Sequence, residues 1–330
     1  MAHVMVIGGG LSGSVIANAL AQCGQKVTIV EKSGRIGGKV RSYGCKATDK
    51  CNNCGVCLVS GLWEKVEKSP HINIIRDATL TDINGKAGDY SVAVKTGSDL
   101  QYMNGISSVV VATGFEESPA LGGHLQIEGK EGIIRGLALE EICRTRSKDA
   151  LFDQAPNRVA FIQCVGSRDR KEDAMYCSRV CCSYSTRAAK VIRHYYPDCA
   201  ITFFYMEMQA VSGGDYFKQL EDLGIEFIKS RPLRVKAGSP ATVVFDDPYG
   251  GGVREREFDL ILLSDGIHPP KDADRLAEIC GLGQDGDGFM RNAGPAEDTG
   301  IFVSGCAKGP GRIEEVYADA LAVAEQILAR

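Results

Sequence analysis

Four thiols fall between residues 164 and 182, at Cys164, Cys177, Cys181 and Cys182, in the pattern C-x12-C-x3-C-C. Neighbouring cysteines make only a strained disulfide, so Cys181 and Cys182 suit ligation better than a crosslink. A spacing of four puts Cys177 and Cys181 on one face of a helix, Cys182 sits about 100° further round, and Cys164 arrives from a strand end. Four thiolates meeting there suit a tetrahedral sulfur site, either zinc or a 4Fe-4S cluster. A second run holds Cys45, Cys51, Cys54 and Cys57 as C-x5-C-x2-C-x2-C. Three readings stay open for it: a second cluster, a redox-active disulfide or reactive thiols, and incidental cysteines.

A different chemistry is written at the amino terminus. Gly8, Gly10 and Gly13 form G-x-G-x-x-G, and Glu31 follows Gly13 by 18 residues. Such a turn approaches a pyrophosphate closely and aims a helix N-terminus at its charge, while the acid accepts hydrogen bonds from ribose hydroxyls.

The elements that must position these groups alternate between strand and helix. VMVI, a helix over about 11–23 and KVTIV make a β-α-β unit, which implies a parallel sheet. The runs INII, SVAV and SVVV between 72 and 111 predict an antiparallel meander that returns to that sheet. A second α/β pattern opens at RVAFI, with a helix predicted over 178–196, and the hairpin signal DDPYGGG precedes DLILLSDG. The last strand and helix, after IFVSG, complete the first sheet. The fold class is therefore α/β, with a dinucleotide-binding domain over 1–150 and 266–330 and an inserted domain over 151–265.

Composition narrows the function classes. The 330 residues carry a net charge of −4 with no basic block, which gives nucleic acid or an anionic membrane little to bind. The start MAHVMVIGGG runs directly into a strand, and no apolar run approaches a membrane span, so a cytoplasmic protein is expected. Thirteen cysteines in a reducing compartment point to metal ligation or redox work.

With Gly37 and Gly38 after the acid, VVVATGF at 109–115 and GIFVSGCA at 300–307, the chain resembles the FAD-binding domain of the thioredoxin reductase and glutathione reductase superfamily. That resemblance implies FAD held by Gly8, Gly10, Leu11, Ser12 and Gly13, by Glu31 and Lys32, and by Gly37, Gly38 and Lys39. It adds Ala78, then Ala112, Thr113 and Gly114, and finally Gly305, Cys306 and Ile313 beside the flavin. The family usually has Gly-Asp where this chain has Gly305-Cys306. The second glycine fingerprint, which would hold NAD(P)H, is missing after RVAFIQCVGS.

The stretch QCVGSRDRKEDAMYCSRVCCSYSTRAAK resembles more narrowly the family of A-type subunits of heterodisulfide reductase, which are flavin and iron-sulfur proteins. The likeness implies that Cys164, Cys177, Cys181 and Cys182 ligate a 4Fe-4S cluster. No C-x2-C-x2-C-x3-C-P run is present, so the chain looks like the short, core-only form found in heterodisulfide reductase-like complexes of sulfur metabolism. It implies an electron-transfer subunit, with B- and C-type partner subunits and a homodimer. The rival is a self-contained NAD(P)H-dependent disulfide reductase using Cys45, Cys51 and Cys54; a zinc-stabilised FAD scaffold is a third reading.

Overall fold

β1 (His3–Ile7) has no polar face: Val4 and Val6 enter one apolar core, and Met5 and Ile7 enter another. A strand buried on both sides reads as a continuous apolar run, which is the signature of a parallel sheet covered on both faces. The computed structural model describes residues 2–118, 125–209 and 216–330. They divide into one unit of 1–41, 55–116 and 269–330 and a second of 42–54 and 117–268. The division thus falls at 116/117 and 268/269, not at 150/151 and 265/266, and it transfers a short early segment to the second unit.

In the first unit, α1 (Leu11–Gln22) follows β1 and leads to β2 (Lys26–Val30), and α2 (Leu62–Lys68) leads to β3 (Ile72–Ile75). A meander of β4 (Ala78–Lys86), β5 (Asp89–Thr96) and β6 (Asp99–Ile106) precedes β7 (Ser108–Val111). The main sheet runs Ile301–Val303, β7, β1, β2, β3, all parallel. INII and SVVV are therefore parallel members of it, a correction to the predicted meander, which is confined to β4–β6. Short apolar runs carry no mark of their partner's direction. α1, α2 and the C-terminal helix Ile313–Leu328 cover one face; the meander and helix Ala273–Cys280 cover the other.

The second unit repeats the plan. Its parallel sheet runs Ile133–Arg135, Leu260–Asp265, Arg158–Val165, Ala200–Phe204, Glu226–Ile228. The central strand Arg158–Val165 alternates as far as Ile162, Val159 and Phe161 toward one core, Ala160 and Ile162 toward the other, which Val165 also joins. Phe161 stacks on Phe203 at 4.5 Å between centroids, each fully buried ring contributing about 2 kcal/mol. α3 (Gly136–Thr145) and α4 (Cys181–Tyr195) lie in this unit, and the predicted hairpin forms between Ala241–Asp246 and Val253–Phe258. α4 begins three residues later than expected. Arg179 has a φ of 61°, a conformation no helix admits, so Cys177 precedes the helix and shares no helical face with Cys181.

Candidate functional site

In each sheet the strand order reverses at one strand, β1 in the first unit and Arg158–Val165 in the second. Ligands of open α/β sheets sit in the crevice at the carboxyl end of that strand.

At β1 the crevice is built from backbone. Gly8 has a φ of 99°, and a Cβ there would lie 2.5 Å from the Ala112 carbonyl; one on Gly13 would lie 1.9 Å from the Gly8 carbonyl. Gly10, the residue before α1, faces open space within 4 Å, as does Gly114. Gly37 donates its N–H to the Gly9 carbonyl at 2.8 Å and Gly38 lies beside Gly10, so the two glycine pairs meet. The buried Glu31 carboxylate accepts from Gly9 N at 2.8 Å and from Ser33 N and Oγ, each at 2.8 Å. Those bonds occupy three of its roughly four acceptor positions and leave one for a ribose hydroxyl. Ala78 N in turn bonds the Glu31 carbonyl, and the Thr113 hydroxyl is buried with no partner. An open helix N-terminus, a nearly satisfied acid and an orphaned hydroxyl around one crevice fit a dinucleotide.

Other expected cofactor residues are engaged elsewhere. Lys32 and Lys39 both pair with Glu116, at 3.6 and 3.2 Å. Leu11 is packed in the core under the C-terminal helix. Ser12 Oγ and Ser304 Oγ hydrogen-bond at 2.6 Å, and Gly305 lies against the Ser12 Cβ. Cys306 is buried and its pKa is pushed up to about 11 by burial, so it stays neutral. The sequence reading missed Asp319, on the C-terminal helix, whose Oδ2 accepts from Gly305 N and Ser304 Oγ, both at 2.8 Å. Its place on the inner face of a helix was legible; its target was not. Ile313 opens that helix, where Arg312 N donates to the Glu315 carboxylate at 2.9 Å.

At the second crevice side chains replace backbone. The pairing of the central strand with Leu260–Asp265 shifts register between Ile162 and Val165, and Cys164 takes a φ of 60° there. A bulge re-aims side chains, which here presents Cys164 at the strand end. Cys164 and Cys181 hydrogen-bond. That bond, with Arg168 and Arg231 nearby, outweighs burial and draws Cys164 down to about 7. Cys181 is pushed up by the same bond and by complete burial, with the charges of Cys182 and Cys177 adding to it. Cys182 Sγ accepts from Gln209 N at 3.4 Å and Cys177 Sγ from Arg179 N at 3.3 Å. Around them the Gln163 amide, Ser167 Oγ and Arg168 Nη1 are buried without hydrogen-bond partners. Buried donors beside thiols with an arginine present fit an anionic sulfur centre. Among the described residues no three His, Cys, Asp or Glu side chains gather closely enough to hold a single metal ion. His268, which bonds the Gly166 carbonyl at 2.5 Å and lies edge-on to Tyr176, belongs to this loop.

The second cysteine run is divided. Cys45, Cys51 and Cys54 lie on the segment belonging to the second unit, whereas Cys57 belongs to the first. Cys45, Cys51 and Cys57 are exposed and Cys54 half-buried. The segment is fastened to its unit by Lys46, buried and paired with Glu140 of α3, by Arg146 on the Ala47 carbonyl and by Arg187 on the Asn52 carbonyl. Gly44 presses on the backbone of Cys143 and Arg144.

Comparison with known proteins bears first on the turn at β1. The NAD(P)-binding Rossmann-like domain matches residues 6–70, which include that turn and its acid. Over 98% of its own length the chain is 28% identical to an iron-sulfur A-type subunit of the CoB-CoM heterodisulfide reductase of Methanopyrus kandleri. Over 99% it is 25% identical to the A-type subunit of the ferredoxin:CoB-CoM heterodisulfide reductase of Methanosarcina mazei. The chain is thus similar to A-type subunits of heterodisulfide reductase over almost its whole length. The chain spans 63% and 53% of those two relatives, and the alignments run to 420 and 419 positions, so the relatives carry residues that it lacks. Its fold is that of thioredoxin reductase: the T. acidophilum enzyme superposes with a TM-score of 0.66 at 16% identity, covering 99% of this chain and 97% of that one. The Lactococcus lactis enzyme gives 0.66 at 18% identity, covering 100% and 98%. Among the described residues no helix is long and apolar enough to cross a membrane.

Proposed function

We propose that the chain is an oxidoreductase subunit that binds FAD in the crevice at β1 and a 4Fe-4S cluster on Cys164, Cys177, Cys181 and Cys182, serving electron transfer in a heterodisulfide reductase-like complex. The observation that carries this reading is the gathering of thiols and unpartnered donors at the switch point of the second sheet, where a nicotinamide fingerprint would otherwise lie. FAD exchanges electron pairs and a cluster single electrons, so together they join two-electron to one-electron chemistry.

The protein's part is to bind and to tune. The first turn of α1 offers backbone N–H groups to a pyrophosphate, and Glu31 fixes that turn through Gly9 while keeping an acceptor for ribose. Ser12, Ser304 and Asp319 lock the last loop against α1, which gives the flavin a rigid bed. In the second unit, Arg168 and Arg231 supply the positive charge that four thiolates require, and the strand bulge holds Cys164 toward α4. B- and C-type subunits, a second copy of the chain, a role in sulfur metabolism and a cytoplasmic site complete the proposal. The segment bearing Cys45, Cys51 and Cys54 is its candidate for a second cluster or for redox thiols.

Anaerobic purification with quantification of flavin, iron and acid-labile sulfide, and electron paramagnetic resonance after dithionite, tests it. Bound FAD with iron and sulfide in equal amounts is expected. Rapid flavin bleaching by NAD(P)H without iron would favour a disulfide reductase instead, and zinc in place of iron would favour a scaffold.

A further inference from the structure

Gln163 is an anomaly for a sheet interior. It sits on the central strand, is 4% exposed, and neither its Nε2 nor its Oε1 has a hydrogen-bond partner. Leaving a buried amide unpaired costs its full desolvation penalty, so a fold that keeps one there has a partner for it that the polypeptide does not supply. Gln163 lies next in sequence to Cys164, inside the register shift between Ile162 and Val165 that re-aims the side chains of the strand end. Two more donors lie within five residues of it, Ser167 Oγ on a side chain with no exposure and Arg168 Nη1, also unpartnered. Arg168 acts on Cys164, the residue next to Gln163. Unanswered donors at the strand end and in the turn that follows it, beside the Cys164 thiol, describe the mould of an anion rich in weak acceptors.

We propose that Gln163 sets the reduction potential of the sulfur centre: its side-chain N–H donates to a sulfur of the cluster or of a ligating thiolate, with Ser167 Oγ–H as a second donor. The inference rests on the cluster reading above. A donor to sulfur stabilises the more negative, reduced form more than the oxidised one, so its loss lowers the potential. In the metal-free protein the same amide is only a desolvated burden, so its removal stabilises. These two signs are opposite to what a packing or scaffolding glutamine would give.

The test uses the full chain, purified anaerobically, as wild type, Gln163→Leu and Ser167→Ala, with iron and sulfide content, a redox titration followed by electron paramagnetic resonance, and melting temperatures of loaded and metal-free protein. Gln163→Leu is expected to keep its iron, to lower the reduced-to-oxidised ratio at fixed potential about tenfold, equal to about 59 mV for one electron, and to melt higher than wild type when metal-free. Ser167→Ala shifts the ratio in the same sense by less. An unchanged or raised potential in iron-replete Gln163→Leu overturns the inference and leaves the cluster reading intact. If Gln163→Leu loses its iron, a raised metal-free melting temperature still supports a donor to the cluster, and a temperature that is not raised overturns it. Absence of iron and sulfide from the wild type sinks both.

Discussion

The two units solve the same topological problem with different materials. In the first, only residues 8–10 separate β1 from α1, two of the turn's glycines admit no side chain, and the one acid that reaches in binds the turn's own N–H. In the second, residues 166–180 separate the central strand from α4, three non-glycine residues of that connection (Arg168, Asp173, Arg179) and Cys164 at the strand end take positive φ, and several buried donors go unanswered. The first crevice is preorganised by backbone and nearly self-satisfied; the second keeps buried donors that the polypeptide does not answer. A parallel sheet dictates where a ligand sits, because loops and helix N-termini converge at one edge, but the loop length decides whether backbone or side chains meet it.

Breaking the second crevice should have the largest effect. Under the proposed function, Cys182→Ser abolishes the iron and sulfide of the second unit while FAD is retained, as read by metal analysis and the flavin spectrum; unchanged iron and resonance signal would refute the ligand assignment. Next is the fastening of the early cysteine segment. Lys46→Met leaves Glu140 buried without its partner and costs about 3–5 kcal/mol, expressed as faster proteolysis and hydrogen exchange over 42–54, whereas Lys46→Met with Glu140→Leu recovers most of it.

Gly13→Ala tests the first crevice. Its Cβ would overlap the Gly8 carbonyl, so a loss of about 3 kcal/mol and of bound flavin is expected, with the thiols of the second unit unaffected in their metal content. Retained flavin with wild-type stability would mean that the turn is not preorganised. The smallest effect concerns thiol reactivity. Burial pushes Cys143 up to about 11, Cys280 to about 12 and Cys306 to about 11, so at pH 8 they resist iodoacetamide while exposed Cys45, Cys51 and Cys57 of metal-free protein react, read by mass spectrometry. The sign follows from linkage. A folded thiol pKa raised above its unfolded value contributes stability that is present below the ordinary thiol pKa and is lost as pH climbs through the folded value, so the native protein weakens in strong alkali.

Much of this was legible in the chain itself. Gly8 and Gly13 with Glu31 define a dinucleotide turn because only glycine survives the contacts at those two positions, while Gly10 leaves space before α1, and the apolar runs of β1, β2 and RVAFI announce strands buried on both faces. The spacing of Cys164, Cys177, Cys181 and Cys182 named the thiols without any coordinates. Tertiary structure alone decided that INII and SVVV pair in parallel, since a run of four apolar residues is the same in either direction. It also decided that the helix waits for Cys181, because Arg179 holds a left-handed conformation fixed by its surroundings rather than by propensity. Only the fold could separate Cys57 from Cys45, Cys51 and Cys54, and only the fold could leave Gln163 without a partner. Residue types and local spacing follow the chain; which distant groups meet, and which polar atoms are left unanswered, depends on packing between segments far apart in sequence.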